Sequence, residues 1–514
     1  MSDGGARVAR RRLPIAGYSL VFPAAMVVHI WVGTGIHPVS MLRPLLLAVL
    51  TTIVVAAALT SLSRSRDLGG LATTAVALWL IAAVTYPSIG YVLAPAIIVL
   101  VAIGLARRGA PWPIGERITR AMTVVAVVTA IAVGLQVVQS SSFGQAVSDV
   151  QLDVTSLGPM ATPRPDDPDI YLVLLDGYPG ADAGALDPTW DAAAFGEALR
   201  SRGFGMADGT RSNYLQTPQT IASVLDMRHL EDIPALDPPW GPPSLDGFRL
   251  RQAMNEAAAL STLHKRGYEL TAIASGWAEA ELRRVDRYVE PIGLNEFEVG
   301  LLNGTGVGDV LTFLASDFPS AIQRGRIESS FDALAAEAAR EPESPKFVFA
   351  HIAAPHPPWV FDAAGNARRD VLRTYYQDAA RARGIDRADA IRRHLDQATH
   401  VASLTIATVD RILAAADSPP VIIIFSDHGP GTGFDPTRPL ESDLVERSSN
   451  ILAVYSPGHP GLFASSTTPV NILARVFNAY LGTAIPEQPD TTYAWRESRL
   501  DTVAVHPMNA GLAR

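Results

Sequence analysis

Val421-Ile-Ile-Ile-Phe-Ser-Asp-His-Gly429 sets five apolar residues in a row and ends the run on a carboxylate, an imidazole and a glycine. A run this short, apolar at every position rather than at alternate ones, is what a strand buried on both faces looks like. Four further runs of the same kind lie on either side of it: Ile170–Leu175, Glu269–Ala274, Phe347–Ala350 and Ile451–Tyr455. Helical stretches separate them, among them Trp190–Arg202, Ser329–Arg340, Ile391–Ala416 and Val470–Leu481. The sequence thus predicts an α/β domain with a central, mainly parallel sheet covered by helices on both faces.

Ligands in such sheets bind beyond the carboxyl ends of the strands. The first run ends in Asp176-Gly177, the third leads into His351-Ile-Ala-Ala-Pro-His356-Pro-Pro, and the fourth ends in Asp427-His428. An Asp after a strand is commonly a turn residue, so Asp176 alone decides nothing. Asp427 beside His428 is a ready oxygen and nitrogen pair for a metal. A fourth element is Arg211-Ser-Asn-Tyr-Leu-Gln-Thr217-Pro218, which precedes a short helix at about Pro218–Met227. Thr then Pro reads as an ordinary helix start, with Thr217 as N-cap and Pro218 at the first helical position. A hydroxyl at a helix N-terminus is also where a phosphate is held by free N–H groups, and that field with a metal would favour the alkoxide.

The N-terminal part is of another kind. No Asp, Glu, Lys or Arg occurs between Arg12 and Arg43, or from Leu68 to Ala106. Taking about 20 apolar residues per crossing, we expect five spans: Leu13–Gly33, Pro44–Leu62, Gly70–Thr85, Tyr91–Ala106 and Ala121–Val138. A signal peptide would account for the first segment but not for four more. Arginines cluster at positions 7–12, at Arg64 and Arg66, and at Arg107, Arg108, Arg117 and Arg120, while loops Thr34–Met41 and Tyr86–Gly90 carry none. The positive-inside rule then places the N-terminus in the cytoplasm and everything after the fifth span outside. We expect a transmembrane domain at 1–140, an exposed connector at 141–168 and an extracytoplasmic domain at 169–514. His29, in the first span, is expected near the outer interface without a chemical role. The net charge of −9 resides wholly beyond the helical part, whose first 149 residues hold eleven arginines against four acidic residues. So acidic an outer domain argues against nucleic acid as a partner. With no cysteine, disulfides, thiolate metal sites and cysteine nucleophiles are excluded.

Together these residues resemble the sulfatase-like branch of the alkaline phosphatase superfamily. The architecture is similar to the five-helix bacterial membrane enzymes typified by lipoteichoic acid synthase and the lipid A phosphoethanolamine transferases. The likeness in architecture covers the whole chain, and the motifs run from about Pro168 to Tyr480. It implies that Asp176, Asp427, His428 and the Thr217 oxygen bind one divalent metal, Mn²⁺ before Mg²⁺ or Zn²⁺. Thr217 would be the nucleophile and His356 a catalytic, substrate-contacting residue. The implied activity is transfer, or hydrolysis, of a phospho-alcohol head group through a phospho-threonine. The donor would be a membrane phospholipid and the acceptor a cell-envelope glycan or lipid, at the bacterial inner membrane. A catalytically inactive lipid-binding regulator and a phosphodiesterase using water are the alternatives. The chain departs from the pattern in having Asp176 where lipoteichoic acid synthase has Glu. It lacks the Cys/Ser-x-Pro-x-Arg setting of true sulfatases, which disfavours sulfate-ester hydrolysis by that route. His351 and His400 are the available histidines for a second metal, which is left unassigned.

Overall fold

The computed structural model describes residues 15–32, 36–85, 113–139, 154–234, 247–368, 385–496 and 499–503, apart from Pro163, Pro165 and Thr437, with a few isolated positions besides. The chain divides into two compact units, one of Met1–Val147 with Phe297–Ser316, the other of Ser148–Glu296 with Asp317–Arg514.

The first unit contains helices α1 (Tyr18–Val32), α2 (Val39–Ser63), α3 (Arg66–Thr85) and α4 (Pro113–Gln139). Their apolar residues face outward as well as inward: Leu46, Leu50 and Val54 on α2 and Val124, Val128, Ile131 and Leu135 on α4 are all exposed. A water-soluble bundle keeps such side chains on one inner stripe and turns charge outward. Among the described residues two helices, α2 and α4, are long and apolar enough to cross a membrane, not about five. The expected first span starts late: its helix begins at Tyr18 rather than Leu13, and 15 residues rise only ~22 Å, short of a ~30 Å hydrocarbon core. The expected fourth span, Tyr91–Ala106, lies almost wholly outside the described residues, as does much of the expected connector. His29 Nδ1 pairs with Gln136 Oε1 at 2.9 Å and links α1 to α4.

The second unit is built on seven strands: β1 (Ile170–Leu175), β2 (Gly205–Met206), β3 (Glu269–Ile273), β4 (Arg287–Val289), β5 (Lys346–Ile352), β6 (Val421–Phe425) and β7 (Leu452–Tyr455). Their order is β2-β7-β6-β1-β5-β3-β4. The five from β6 to β4 are parallel, and β7 runs antiparallel to both β6 and β2. Alternation of side chains along a strand explains why β1 is apolar throughout. Ile170, Leu172 and Leu174 pack with Ile221 and Leu225 of α5 (Thr217–Asp226) on one face. Tyr171, Val173 and Leu175 meet Phe331 and Leu334 of α6 (Phe318–Ala338) and Val401 and Ile412 of α7 (Arg387–Ala415) on the other. The predicted strands at β1 and β6 have the observed bounds, whereas the two short edge strands and a hairpin, Thr492–Arg496 with Arg499–Val503, carry no apolar run to announce them. The predicted helix Val470–Leu481 is three pieces: a 3₁₀ turn at Pro469–Asn471, an α-helical turn at Ile472–Val476 and a π-turn at Phe477–Leu481.

Candidate active site

Three adjacent strands, β6, β1 and β5, bring their carboxyl ends together in the middle of the sheet. Asp427 and His428 leave β6, Asp176 leaves β1, and His351 lies within the last turn of pleat of β5, paired with Leu174. Two glycines make the convergence possible. Gly177 adopts φ +70°, which bends the chain so that its N–H donates to Asp427 Oδ1 at 3.0 Å. At Gly429 a Cβ would lie 2.2 Å from the Glu446 carbonyl oxygen and 2.3 Å from that of Ser449, so only hydrogen fits there.

Thr217 is the first residue of α5 and Pro218 the second, while Gln216, with extended backbone, holds the N-cap position. The expectation that Thr217 caps the helix is therefore corrected by one residue. The consequence is chemical: the Thr217 hydroxyl is left for the cleft, with Oγ1 3.3 Å from His428 Nε2. One turn on, Thr220 donates to the Asp427 carbonyl at 3.1 Å and ties α5 to the end of β6.

The protons can be placed by elimination. A carbonyl only accepts, so the 2.9 Å contact from His428 Nδ1 to the Gly429 oxygen puts the ring proton on Nδ1. Burial, reinforced by the nearby Arg447 charge, drives His428 well below the usual imidazole range and keeps it neutral. Its Nε2 is then a lone pair, 3.1 Å from Asp427 Oδ2 and 3.9 Å from Asp176 Oδ1. Both of those carboxylate oxygens are buried without a hydrogen-bond partner. One donor atom from each of Asp176, Asp427 and His428 falls within a 4.8 Å span. Leaving such buried acceptors unmatched costs about 1–3 kcal/mol apiece. A divalent cation resolves that mismatch, and mixed oxygen and nitrogen donors accommodate Mn²⁺, Mg²⁺ or Zn²⁺ alike. The residues fit the implied metal.

The two carboxylates are pushed apart in acidity. Burial would raise Asp176, but the imidazoles of His356, His351 and His428 outweigh it and hold the group below the ordinary carboxylate range. Burial and then the Asp176 charge push Asp427 up to about 7. Without a cation, Asp427 is the carboxyl that holds a proton toward neutrality while Asp176 stays ionised.

Other histidines take separate places. His351 Nε2 lies 3.1 Å from Asp176 Oδ2, where N–H donation fixes the carboxylate and leaves Oδ1 open. His356 Nδ1 donates to the Pro357 carbonyl at 2.7 Å, and its backbone N–H donates to the Asp176 carbonyl. His400 is not brought to the site; its ring packs on Phe361, with centroids 4.5 Å apart. Two residues escaped sequence reasoning. His394, on the same long helix as His400, donates from Nε2 to the Gly177 carbonyl at 2.9 Å and accepts from Trp359 at 3.3 Å. Burial drops it to about 4, so it is a neutral strut beneath the Asp176 turn. Replacing His394 by Ala leaves Gly177 and Trp359 unpartnered, and we expect thermal unfolding to show a loss of about 2–4 kcal/mol. Arg447 is the other. It is buried, its Nε donates to the Leu215 carbonyl at 2.8 Å, and its guanidinium lies 4.5 Å over the Phe434 ring. Burial lowers it only to about 10, so it stays a cation beside both carboxylates. Leu-Val-Glu-Arg-Ser offers no strand end and no motif that could have singled it out.

No protein-family model matches the chain, and no curated protein matches it. Solved structures do. The integral membrane protein lipooligosaccharide phosphoethanolamine transferase A from Neisseria meningitidis aligns over 91% of this chain and 95% of its own, with 11% identity and a TM-score of 0.39. The C-terminal periplasmic domain of EptC from Escherichia coli aligns over 67% and 96%, at 9% identity and a TM-score of 0.41. A Bacteroides thetaiotaomicron protein assigned as a sulfatase aligns over 62% and 72%, at 15% identity and a TM-score of 0.37. At such scores the resemblance is one of outline, and the functional reading rests on the residues themselves.

Proposed function

We propose that this chain is a membrane-anchored, metal-dependent enzyme that moves a phospho-alcohol head group from a phospholipid to an envelope glycan or lipid through a phospho-threonine at Thr217. The observation that carries the reading is the convergence of two unmatched carboxylate oxygens, Asp176 Oδ1 and Asp427 Oδ2, with His428 Nε2, which the Thr217 hydroxyl at a helix start approaches at 3.3 Å. In this reading residues 1–140 form the transmembrane domain with the N-terminus in the cytoplasm of a bacterial cell, 141–168 a connector, and 169–514 the catalytic domain outside the inner membrane. A phospholipid donor stays in its bilayer, which gives the spans their purpose.

Asp176, Asp427, His428 and the Thr217 oxygen would hold the metal, Mn²⁺ first, whose positive charge would favour the threonine alkoxide and offset the negative charge of the phosphodiester. Thr217 Oγ1 bonds to phosphorus in line as the bond from phosphorus to the diacylglycerol oxygen breaks, and the proton given up by the Thr217 hydroxyl ends on that oxygen, so the lipid leaves as the neutral alcohol. Arg447 adds fixed positive charge to the cleft. His356, with its proton held on Nδ1 by Pro357, has Nε2 free to accept the proton of the acceptor hydroxyl in the second step. His351 keeps Asp176 turned toward the cleft.

The test is mass spectrometry of the Thr217 peptide after incubation with native phospholipids and Mn²⁺. An adduct is expected, and its mass names the head group. Absence of any adduct or turnover with every lipid supplied would favour the lipid-binding regulator, and release of free head group alone would favour water as acceptor.

A further inference from the structure

The chain of the α/β unit departs after Glu296 and returns at Asp317, and the segment between, Phe297–Ser316, belongs to the helical unit. It forms two short helices, Glu296–Asn303 and Gly306–Leu314. Glu298, buried, makes an ion pair with Arg43 near the start of α2. Gly306 rests against α3, where a Cβ would lie 3.4 Å from the carbonyl oxygen of Leu80. In the orientation given by the arginines, Arg43 and Leu80 both mark outer ends of their helices. The segment is thus pinned to the outer rim of the helical unit by one charge pair and one close backbone approach.

Its other side is bare. Val307, Val310, Phe313 and Leu314 are all exposed, Phe313 at 90% and Leu314 at 73%. Steps of three and four place them on one face of the helix. An aromatic ring and a leucine this open to water are out of keeping with a polar environment. The same end of α2 exposes Val39, Leu42, Leu46 and Leu47, side chains that a bilayer would likewise cover.

Resting on the membrane reading above, we propose that Gly306–Leu314 lies in the outer interface of the bilayer, with Val307, Val310, Phe313 and Leu314 among the acyl chains. The α/β domain is then held to the membrane at a second point of its own sequence, not solely through the connector.

The absence of cysteine makes a site-specific test direct. Single variants Phe313→Cys and Leu314→Cys of the full chain are spin-labelled in phosphatidylethanolamine–phosphatidylglycerol vesicles. Ile131→Cys on α4 serves as the lipid control and Glu343→Cys, on an exposed loop, as the aqueous one. Power saturation is then compared for oxygen and for a nickel chelate. Labels at 313 and 314 are expected to favour oxygen several-fold, as at 131 and opposite to 343. Nickel access equal to that at 343 overturns the proposal, and so does shielding from both reagents, which would mean a protein cover. If the label at 131 is itself open to nickel, the membrane reading fails and the proposal falls with it.

Discussion

Thr217→Ala is expected to lower turnover of a phospholipid donor by ~10⁴-fold or more, the scale seen when an enzyme loses its nucleophile. In the proposed mechanism the loss appears in kcat, because the hydroxyl is spent on the bond that forms rather than on holding substrate. The fold does not depend on it, although it is one of the four proposed metal donors. Gln216 occupies the N-cap position, so α5 does not need the threonine oxygen, and Thr220 still anchors the helix to Asp427. The Asp and His donors are untouched, so Mn²⁺ titrated against unfolding temperature should still stabilise the variant. Thr217→Ser, which keeps the oxygen at the same position, should restore measurable turnover. An alanine variant that works at the wild-type rate would show that the nucleophile lies elsewhere.

Asp427→Asn is expected to do something less intuitive: destroy activity and metal response, yet make the metal-free protein more stable above neutral pH. Burial and Asp176 raise the Asp427 carboxyl to about 7. A raised group contributes its full stability below its unfolded value, near 4, and that contribution is lost as pH climbs through 7. Asp176, held low, acts in the opposite sense and loses its contribution only on acidification. In chelator, therefore, the wild-type unfolding temperature should fall between about pH 4 and pH 7, and level off above, as a second buried charge is forced in. Asparagine removes the charge, and its amide can donate where Asp427 Oδ2 now sits 3.1 Å from the bare His428 Nε2. The gain at about pH 8 is on the order of a few kcal/mol. Metal reverses the ranking: it must displace the Asp427 proton, so its stabilising effect on the wild type grows with pH, reaching about 2.7 kcal/mol at a hundredfold excess over Kd. Scanning both proteins across this range, with chelator and with Mn²⁺, decides the matter. An asparagine variant less stable than wild type in chelator at about pH 8 would contradict it.

What could be read from the chain follows from how locally each feature is encoded. β1 and β6 could be bounded to the residue because burial on both faces forces an apolar side chain at every position, and the charged residue that ends each run is also the one that enters the cleft. Thr217 was legible as a helix start, although which residue caps it turned on the backbone of Gln216. His394 and His400 look alike in sequence, being six apart on one amphipathic helix. Only packing separates them, one beneath Gly177 and the other on Phe361. Arg447 sits on a five-residue helix, Leu444–Ser448, and enters the site through a fold-level approach of Gly429 to Ser449 that no local pattern records. The first span was misjudged because apolar composition extends beyond the residues that coil into α1.

The excursion at Phe297–Ser316 also bears on how the outer domain could be handled in isolation. A shortened chain beginning at Ser148 would drop the N-terminal helices but keep Val307, Val310, Phe313 and Leu314, now without α3 or Arg43 to hold the segment. Contiguous apolar surface of this kind drives self-association in water. Trimming at the N-terminal boundary therefore leaves a detergent-seeking pair of helices inside the remaining sequence, and a soluble fragment of the α/β unit calls for two excisions: the N-terminal helices, and the segment from Phe297 to Ser316, bridged by a flexible linker.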